Sequence, residues 1–373
     1  MKKILVIIGT RPEAIKMAPV VRALQKENDF FDLKVCDTGQ HIEVKQPILD
    51  FFQIRADFQL NALNETIDLT TLSAFLMTHL QQVILTSQPD LILVQGDTTS
   101  AFAGALAGYY LQKKVAHIEA GLRTYNKYNP FPEEFNRQAI SRIADIHFAP
   151  TLLAKENLLQ EGVATEDIYL VGNTVVDALQ FALEKIREKE PASVKVLKAQ
   201  LLPFKERYTK MLLLTIHRRE NLLHHQQELA QAIRNILEQE DCFALFPLHP
   251  NPAVQNWVRQ SLGDLPNLLL INALPYETFV WAMQQCDLIL TDSGGIQEEA
   301  PSLGKPVIVL RARTERPEAQ QEGIVREVTL DSKTIQGVTT RLLSLPFAST
   351  PHLNPFGDGN AAQKIAESIK QFF

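Results

Sequence analysis

Short apolar runs of strand length alternate along this chain with longer stretches of helical period, and this rhythm constrains the fold more than any other feature. The runs fall at 4–8, 33–36, 91–95, 115–118, 146–149 and 168–171, between helical patterns near 14–26, 67–87, 98–112, 134–144 and 152–160. Such an order makes successive strands parallel and covers the sheet with helices. After a polar, charged stretch around 184–193 the rhythm restarts. Strands then fall near 211–216, 243–247, 268–271, 288–291 and 307–310, with helices near 223–238, 252–261, 276–285, 296–303 and 332–344. With 373 residues to distribute, the pattern predicts an α/β chain of two doubly wound domains in tandem. A last helix, 360–373, follows the turn Asn354-Pro355-Phe356-Gly357-Asp358-Gly359, and the sequence allows it to pack on either domain.

Composition narrows the partners. Net charge is 37 − 43 = −6 and the basic residues form no dense run, which argues against nucleic acid. Cys36, Cys242 and Cys286 lie too far apart for a disulfide framework, so a reducing cytoplasm is expected. The five apolar residues Ile4-Leu5-Val6-Ile7-Ile8 are too few for a signal peptide and end at Gly9. No run of 18 apolar residues exists, so no membrane span is expected.

In open α/β sheets ligands bind beyond the carboxyl ends of the strands, so polar residues directly after apolar runs are the ones to inspect. Five places qualify: Gly9-Thr10-Arg11-Pro12-Glu13, Gly96-Asp97-Thr98-Thr99, Glu119-Ala120-Gly121-Leu122-Arg123, His217-Arg218-Arg219-Glu220-Asn221 and Asp292-Ser293-Gly294-Gly295-Ile296-Gln297-Glu298-Glu299. Thr10 and Glu13 have capping-box spacing and Pro12 suits a first helical turn; Arg11 and Lys16 add cations where a helix start already favours an anion. Ser293-Gly294-Gly295 reads either as a tight turn or as bare backbone for a diphosphate, with Glu299 placed for a ribose hydroxyl. Asp97, Glu119, Glu133 and Glu134 read singly as caps or solvated charges. Gathered, they would repel one another and suit one member to proton transfer, with His217 facing them from the other domain. No G-x-G-x-x-G follows the first strand, no Walker A loop and no G-x-S-x-G elbow is present, and His217-x-x-Glu220 fails the zinc pattern. Neither a metal nor a cofactor is expected.

Longer motifs carry a family resemblance. From Gly9-Thr10-Arg11-Pro12-Glu13-Ala14-Ile15-Lys16-Met17-Ala18-Pro19 to Asn354-Pro355-Phe356-Gly357-Asp358-Gly359 the chain resembles the non-hydrolysing UDP-N-acetylglucosamine 2-epimerases. Gly96-Asp97-Thr98-Thr99, His117-Ile118-Glu119-Ala120-Gly121-Leu122-Arg123-Thr124, Pro132-Glu133-Glu134-Phe135-Asn136-Arg137, Gly172-Asn173-Thr174, His217-Arg218-Arg219-Glu220-Asn221, the run 291–306 and Thr314-Glu315-Arg316-Pro317-Glu318 stand between, in the family's order.

The resemblance implies two Rossmann-like domains facing across a cleft, as in GT-B glycosyltransferases, in a homodimer. Residues 1–175 plus 360–373 would form the domain with the catalytic carboxylates, and 176–359 the UDP-binding domain. The implied reaction interconverts UDP-GlcNAc and UDP-ManNAc at carbon 2 by eliminating and re-adding UDP, without NAD or metal, and feeds envelope polysaccharide synthesis. By resemblance the catalytic set is Asp97, Glu119, Glu133 and His217. Arg11, Lys16, Arg137, Phe279, Ser293, Gly294, Gly295, Glu299 and Arg316 would bind the substrate, with Phe279 near uracil and Glu299 on ribose. Three motifs depart from the family pattern. Gln95 replaces a usual His before Gly96, Ala312-Arg313 replaces Asp-Thr, and Gln40-His41-Ile42-Glu43 lacks an arginine at 42. The last falls where some members bind an activating second UDP-GlcNAc, which predicts that activation is not obligatory here. A GT-B glycosyltransferase, a hydrolysing 2-epimerase and a non-catalytic sugar-nucleotide sensor are the rival readings.

Overall fold

The computed structural model describes residues 1–40, 42–62, 68–311, 316–321, 325–345 and 354–373. His41, Ala312, Arg313, Thr314 and Glu315, named above, lie outside the described residues, as do the side chains of Ile42, Glu43, Val44, Lys45, Arg219 and Glu220. The chain divides into two compact units, Met1–Ala178 with Phe356–Phe373, and Leu179–Pro355. Both are α/β and each is built on one parallel sheet.

The first unit holds β1 (Lys2–Ile8), β2 (Phe31–Asp37), β3 (Phe58–Gln59), β4 (Leu91–Gln95), β5 (Lys114–Ile118), β6 (Ile146–Ala149) and β7 (Ile168–Leu170) in the order β3-β2-β1-β4-β5-β6-β7. Ile4 to Ile8 are at most 1% exposed, as a strand covered on both faces requires. The helix Thr99–Tyr110 lies tightly on this sheet because its inner residues are small. A Cβ at Gly104 would stand 2.6 Å from Ile7 Cδ1, and one at Gly108 would stand 2.8 Å from Ile92 Cδ1. That close approach fixes the helix start, Thr98-Thr99, beside the end of β4. The helix Ala361–Phe372 packs on Arg11–Gln25, burying Ala361, Ala362, Ile365, Ala366 and Ile369 along one stripe.

The second unit repeats the plan with β8 (Lys210–Thr215), β9 (Cys242–Leu248), β10 (Leu268–Asn272), β11 (Leu288–Thr291), β12 (Val307–Val309) and β13 (Val325–Glu327), ordered β10-β9-β8-β11-β12-β13. Every pairing in both sheets is parallel. The order reverses between β1 and β4 in one sheet and between β8 and β11 in the other. Loops leaving these strands diverge to opposite sides, which opens a binding crevice at each strand end.

The polar stretch at 184–193 is more structured than its composition suggests. It contains the end of the helix Thr174–Glu188 and the start of Ala192–Lys205, whose buried residues Val194, Leu197 and Leu201 recur at helical spacing. The single helix expected over 223–238 is two, Arg219–His224 and Gln226–Gln239.

Candidate active site

In the first unit the loops after β1, β4 and β5 are tied together by buried side chains. Glu13, 1% exposed, accepts from Gly9 N at 3.2 Å, Thr10 N at 2.7 Å and Thr98 Oγ1 at 2.9 Å. The carboxylate read as a capping-box member thus also joins the exits of β1 and β4, neighbours at the switch point. Arg11 opens the helix that follows.

Asp97 follows Gly96, whose φ of +68° turns the chain off the end of β4. Its carboxylate meets Arg137 Nη2 at 2.6 Å, and its carbonyl accepts from Asn136 Nδ2 at 2.9 Å. Glu119 follows β5 directly with φ +64°, a left-handed conformation that strains any residue with a Cβ; residues held this way cluster at functional sites. The carboxylate takes a hydrogen bond from the Lys16 ammonium, one from Gln95 Nε2 at 3.0 Å and one from Asn173 Nδ2 at 3.2 Å. The Lys16 and Glu119 side chains are each only 7% exposed. Breaking a buried pair by removing one partner is costly, so these two charges hold each other in place.

Cations pair with these carboxylates: Glu119 with Lys16, and Asp97 with Arg137, whose other terminal nitrogen lies 3.5 Å from Glu134. Glu133 lies half-buried at the first position of the helix Glu133–Ile143. Its neighbour Glu134, wholly buried, accepts from Thr124 N at 3.0 Å, Tyr125 N at 2.9 Å and Gln138 Nε2 at 2.7 Å. These bonds fix the loop ahead of that helix.

The second unit places His217 after β8 and Asp292 after β11, again at the reversal of strand order. Asp292 is fully buried and accepts from the backbone N–H of His217 at 3.0 Å and of Arg218 at 2.9 Å, and from Asn221 Nδ2 at 3.0 Å. His217 Nδ1 lies 3.1 Å from the same carboxylate, and its ring stacks on His249 with centroids 5.1 Å apart. Ser293, Gly294 and Gly295 follow directly. A Cβ at Gly294 would stand 2.7 Å from Arg316 Nη1, so a side chain there would have to move the guanidinium. Arg316 Nε in turn donates to Glu298 at 2.6 Å, and Glu299 accepts from the Tyr276 hydroxyl at 3.0 Å. Phe279 is half-buried on Tyr276–Gln285, the helix that carries Tyr276.

Arg11, Lys16, Asp97, Glu119, Glu133 and Arg137 thus belong to the first unit, and His217, Phe279, Ser293, Gly294, Gly295, Glu299 and Arg316 to the second. Gln95, Asn173, Asp292, Glu298 and Tyr276 are partners that motif reading left without a role. Gln95 and Asp292 carried a signal, each being a polar residue at the end of a buried apolar strand.

A family model described as UDP-N-acetylglucosamine 2-epimerase matches residues 22–370. The chain belongs to the UDP-N-acetylglucosamine 2-epimerase family. It is 43% identical over 369 residues to the Campylobacter jejuni UDP-N-acetylglucosamine 2-epimerase, covering 98% of this chain and 96% of that one. The crystal structure of the Neisseria meningitidis enzyme bound to UDP-GlcNAc superimposes with a TM-score of 0.92 at 42% identity, over 99% of this chain and 100% of that one. The Methanocaldococcus jannaschii enzyme in complex with UDP-GlcNAc and UDP gives a TM-score of 0.86 at 33% identity, over 99% of both chains. A glycotransferase of kitacinnamycin, 11% identical with a TM-score of 0.63 over 99% of this chain and 98% of that one, shares the fold alone. Among the described residues, no helix is long and apolar enough to cross a membrane.

Proposed function

We propose that this chain interconverts UDP-GlcNAc and UDP-ManNAc by a non-hydrolysing route. The observation that carries the reading is the pair Asp97 and Glu119, fixed at the ends of adjacent strands and each held against a cation. A carbon-2 hydrogen of a sugar is not acidic by itself, so its loss must accompany departure of UDP. The base takes the proton from carbon 2, the carbon 1–oxygen bond breaks with its electrons going to UDP, and a glycal with a carbon 1–carbon 2 double bond remains. Return of a proton to the opposite face of carbon 2, with UDP oxygen adding back at carbon 1, gives the epimer. No net oxidation occurs, and the sequence of steps draws on no cofactor.

In this reading Asp97, Glu119 and Glu133 serve the proton transfers and His217 contacts the departing phosphate. Arg11 and Lys16 contribute positive charge, Arg137 orients Asp97 while facing the substrate, and the Ser293-Gly294-Gly295 backbone with Arg316 holds the diphosphate. Glu299 takes ribose, and Phe279 packs near uracil. A homodimer in the cytoplasm, supplying envelope polysaccharide synthesis, completes the proposal; the three cysteines, all buried thiols, fit a reducing compartment. Light scattering of the purified chain reads the dimer.

Proton NMR of UDP-GlcNAc with the protein in heavy water, without acceptor, NAD or added metal, tests the chemistry. UDP-ManNAc carrying deuterium at carbon 2 is expected. Free ManNAc would place the chain with hydrolysing enzymes, turnover only with an acceptor would make it a transferase, and epimer retaining its original hydrogen would exclude the proposed exchange.

A further inference from the structure

His117 takes no part in the reading above, yet it is wholly buried in the sheet of the first unit, between β4 and β6. Its Nε2 lies 2.7 Å from the carbonyl oxygen of Gly96. The ladder explains why that carbonyl needs a side-chain donor. Gly96 N continues the β4–β5 pairing by donating to Ile118 O at 2.9 Å, and the next bond of a parallel ladder would run from Ala120 N back to Gly96 O. Ala120 N donates instead to Phe148 O on β6, at 3.0 Å. The left-handed turn at Gly96 and the departure of Glu119 from β5 thus leave the carbonyl immediately before Asp97 without its backbone partner. An unpaired buried carbonyl is expensive, and the imidazole supplies the missing donor.

We infer that His117 is a positioning residue for Asp97: as a neutral imidazole carrying its proton on Nε2, it locks the Gly96–Asp97 peptide so that the carboxylate stands where the reaction needs it. The inference rests on the role given to Asp97 above. A carbonyl can only accept, so Nε2 must donate, and Nδ1 is then the bare nitrogen; it is buried with no hydrogen-bond partner among the described residues. Burial pushes the imidazole down to about 3; the bond to the Gly96 carbonyl, next in size, pulls the other way, and the charges of His147, Arg123 and Arg137 add smaller downward pushes. The ring therefore stays neutral through the working pH range. The same short segment is held at two further points, Asp97 O by Asn136 and the Asp97 carboxylate by Arg137. Three anchors on two residues leave a carboxylate little freedom, and small misplacements of a catalytic group are costly.

Two measurements test this. Nitrogen-15 NMR of the parent protein labelled at histidine should show one imidazole, absent from His117→Gln, as the Nε2–H tautomer and unprotonated from pH 5 to 9. An Nδ1–H tautomer, or titration in that range, overturns the inference without any appeal to activity. In the second, His117→Phe removes the donor while keeping an aromatic ring, and turnover of UDP-GlcNAc should fall about 10- to 100-fold with UDP affinity within about 3-fold of the parent. His117→Gln carries an amide N–H near the position of Nε2 and should recover turnover to within about 5-fold. Parent-like turnover in His117→Phe, or a folded His117→Gln no better than the Phe variant, overturns the positioning role. A parent protein that shows the expected tautomer but no epimerisation would instead remove the functional reading.

Discussion

Glu119 combines a left-handed backbone with three donors on one carboxylate, and each donor comes from a different part of the chain: Lys16, Gln95 and Asn173. Changing Glu119→Gln, Asp97→Asn or Glu133→Gln should lower turnover roughly 100- to 10,000-fold, the range of a lost general acid or base, with UDP binding largely intact by calorimetry. Parent-like turnover would remove the residue concerned from the catalytic set. Gly294→Ala should act in the opposite sense, weakening UDP binding at least 10-fold, because the new methyl would displace a guanidinium that Glu298 holds from its far side. Unchanged UDP affinity in that variant would show that the Arg316 contact is not used. The rule that polar residues follow buried strands found Arg11, Asp97, Glu119, His217 and Ser293 from sequence. It could not say which of them would pair, since Asn173 lies 54 residues from Glu119 and only the folded sheet brings the ends of β5 and β7 to the same edge.

Asp177 shows how one buried carboxylate governs an element. It accepts from Ala361 N at 3.3 Å and Ala362 N at 2.8 Å, so it caps the start of the helix Ala361–Phe372. Burial nevertheless raises its pKa to about 6, outweighing the bonds from those two N–H groups. Between the unfolded value near 3.8 and the folded value near 6, the folded chain keeps a proton that the unfolded chain has released. Its contribution to stability is therefore full at low pH and lost as pH rises through about 6, on the order of 3 kcal/mol in all. Asp177→Asn should flatten this dependence: the difference in urea midpoint between variant and parent should grow in the variant's favour from pH 5 to pH 7.5. A difference independent of pH would exclude the titration. The elements themselves were legible where apolar runs were long. Two strands were not: β3 has only two residues, and β13, Val325-Arg326-Glu327, carries two charges in three positions. The polar stretch at 184–193 hid the end of the helix Thr174–Glu188 and the start of Ala192–Lys205, because charged residues crowd that junction.

Across the whole molecule the buried histidines work against Asp177. Burial holds His117 down to about 3 and His147 to about 4, so below about 6.5 the unfolded chain takes protons that the folded chain refuses. Their contribution is full above 6.5 and is lost as pH falls. From pH 6.5 to 5 the two together cost about 4 kcal/mol, against about 1.4 kcal/mol returned by Asp177, so the histidines win. Stability should therefore drop by a net of about 2.6 kcal/mol over that range, and His147→Asn, which removes about 2 kcal/mol of it, should shallow the slope by roughly three quarters. A slope unchanged in the variant would mean that His147 keeps its ordinary affinity for protons when folded.

The first unit takes Phe356–Phe373 from beyond the whole of the second. During synthesis, then, the later sheet is the earlier one to have all its parts. Residues Leu179–Pro355 are available while the β1 sheet still lacks the helix that covers Arg11–Gln25, and Asp177 waits for the two amides it caps. The unit that carries Asp97 and Glu119 is thus the last to close, only after every residue of Leu179–Pro355 has been made.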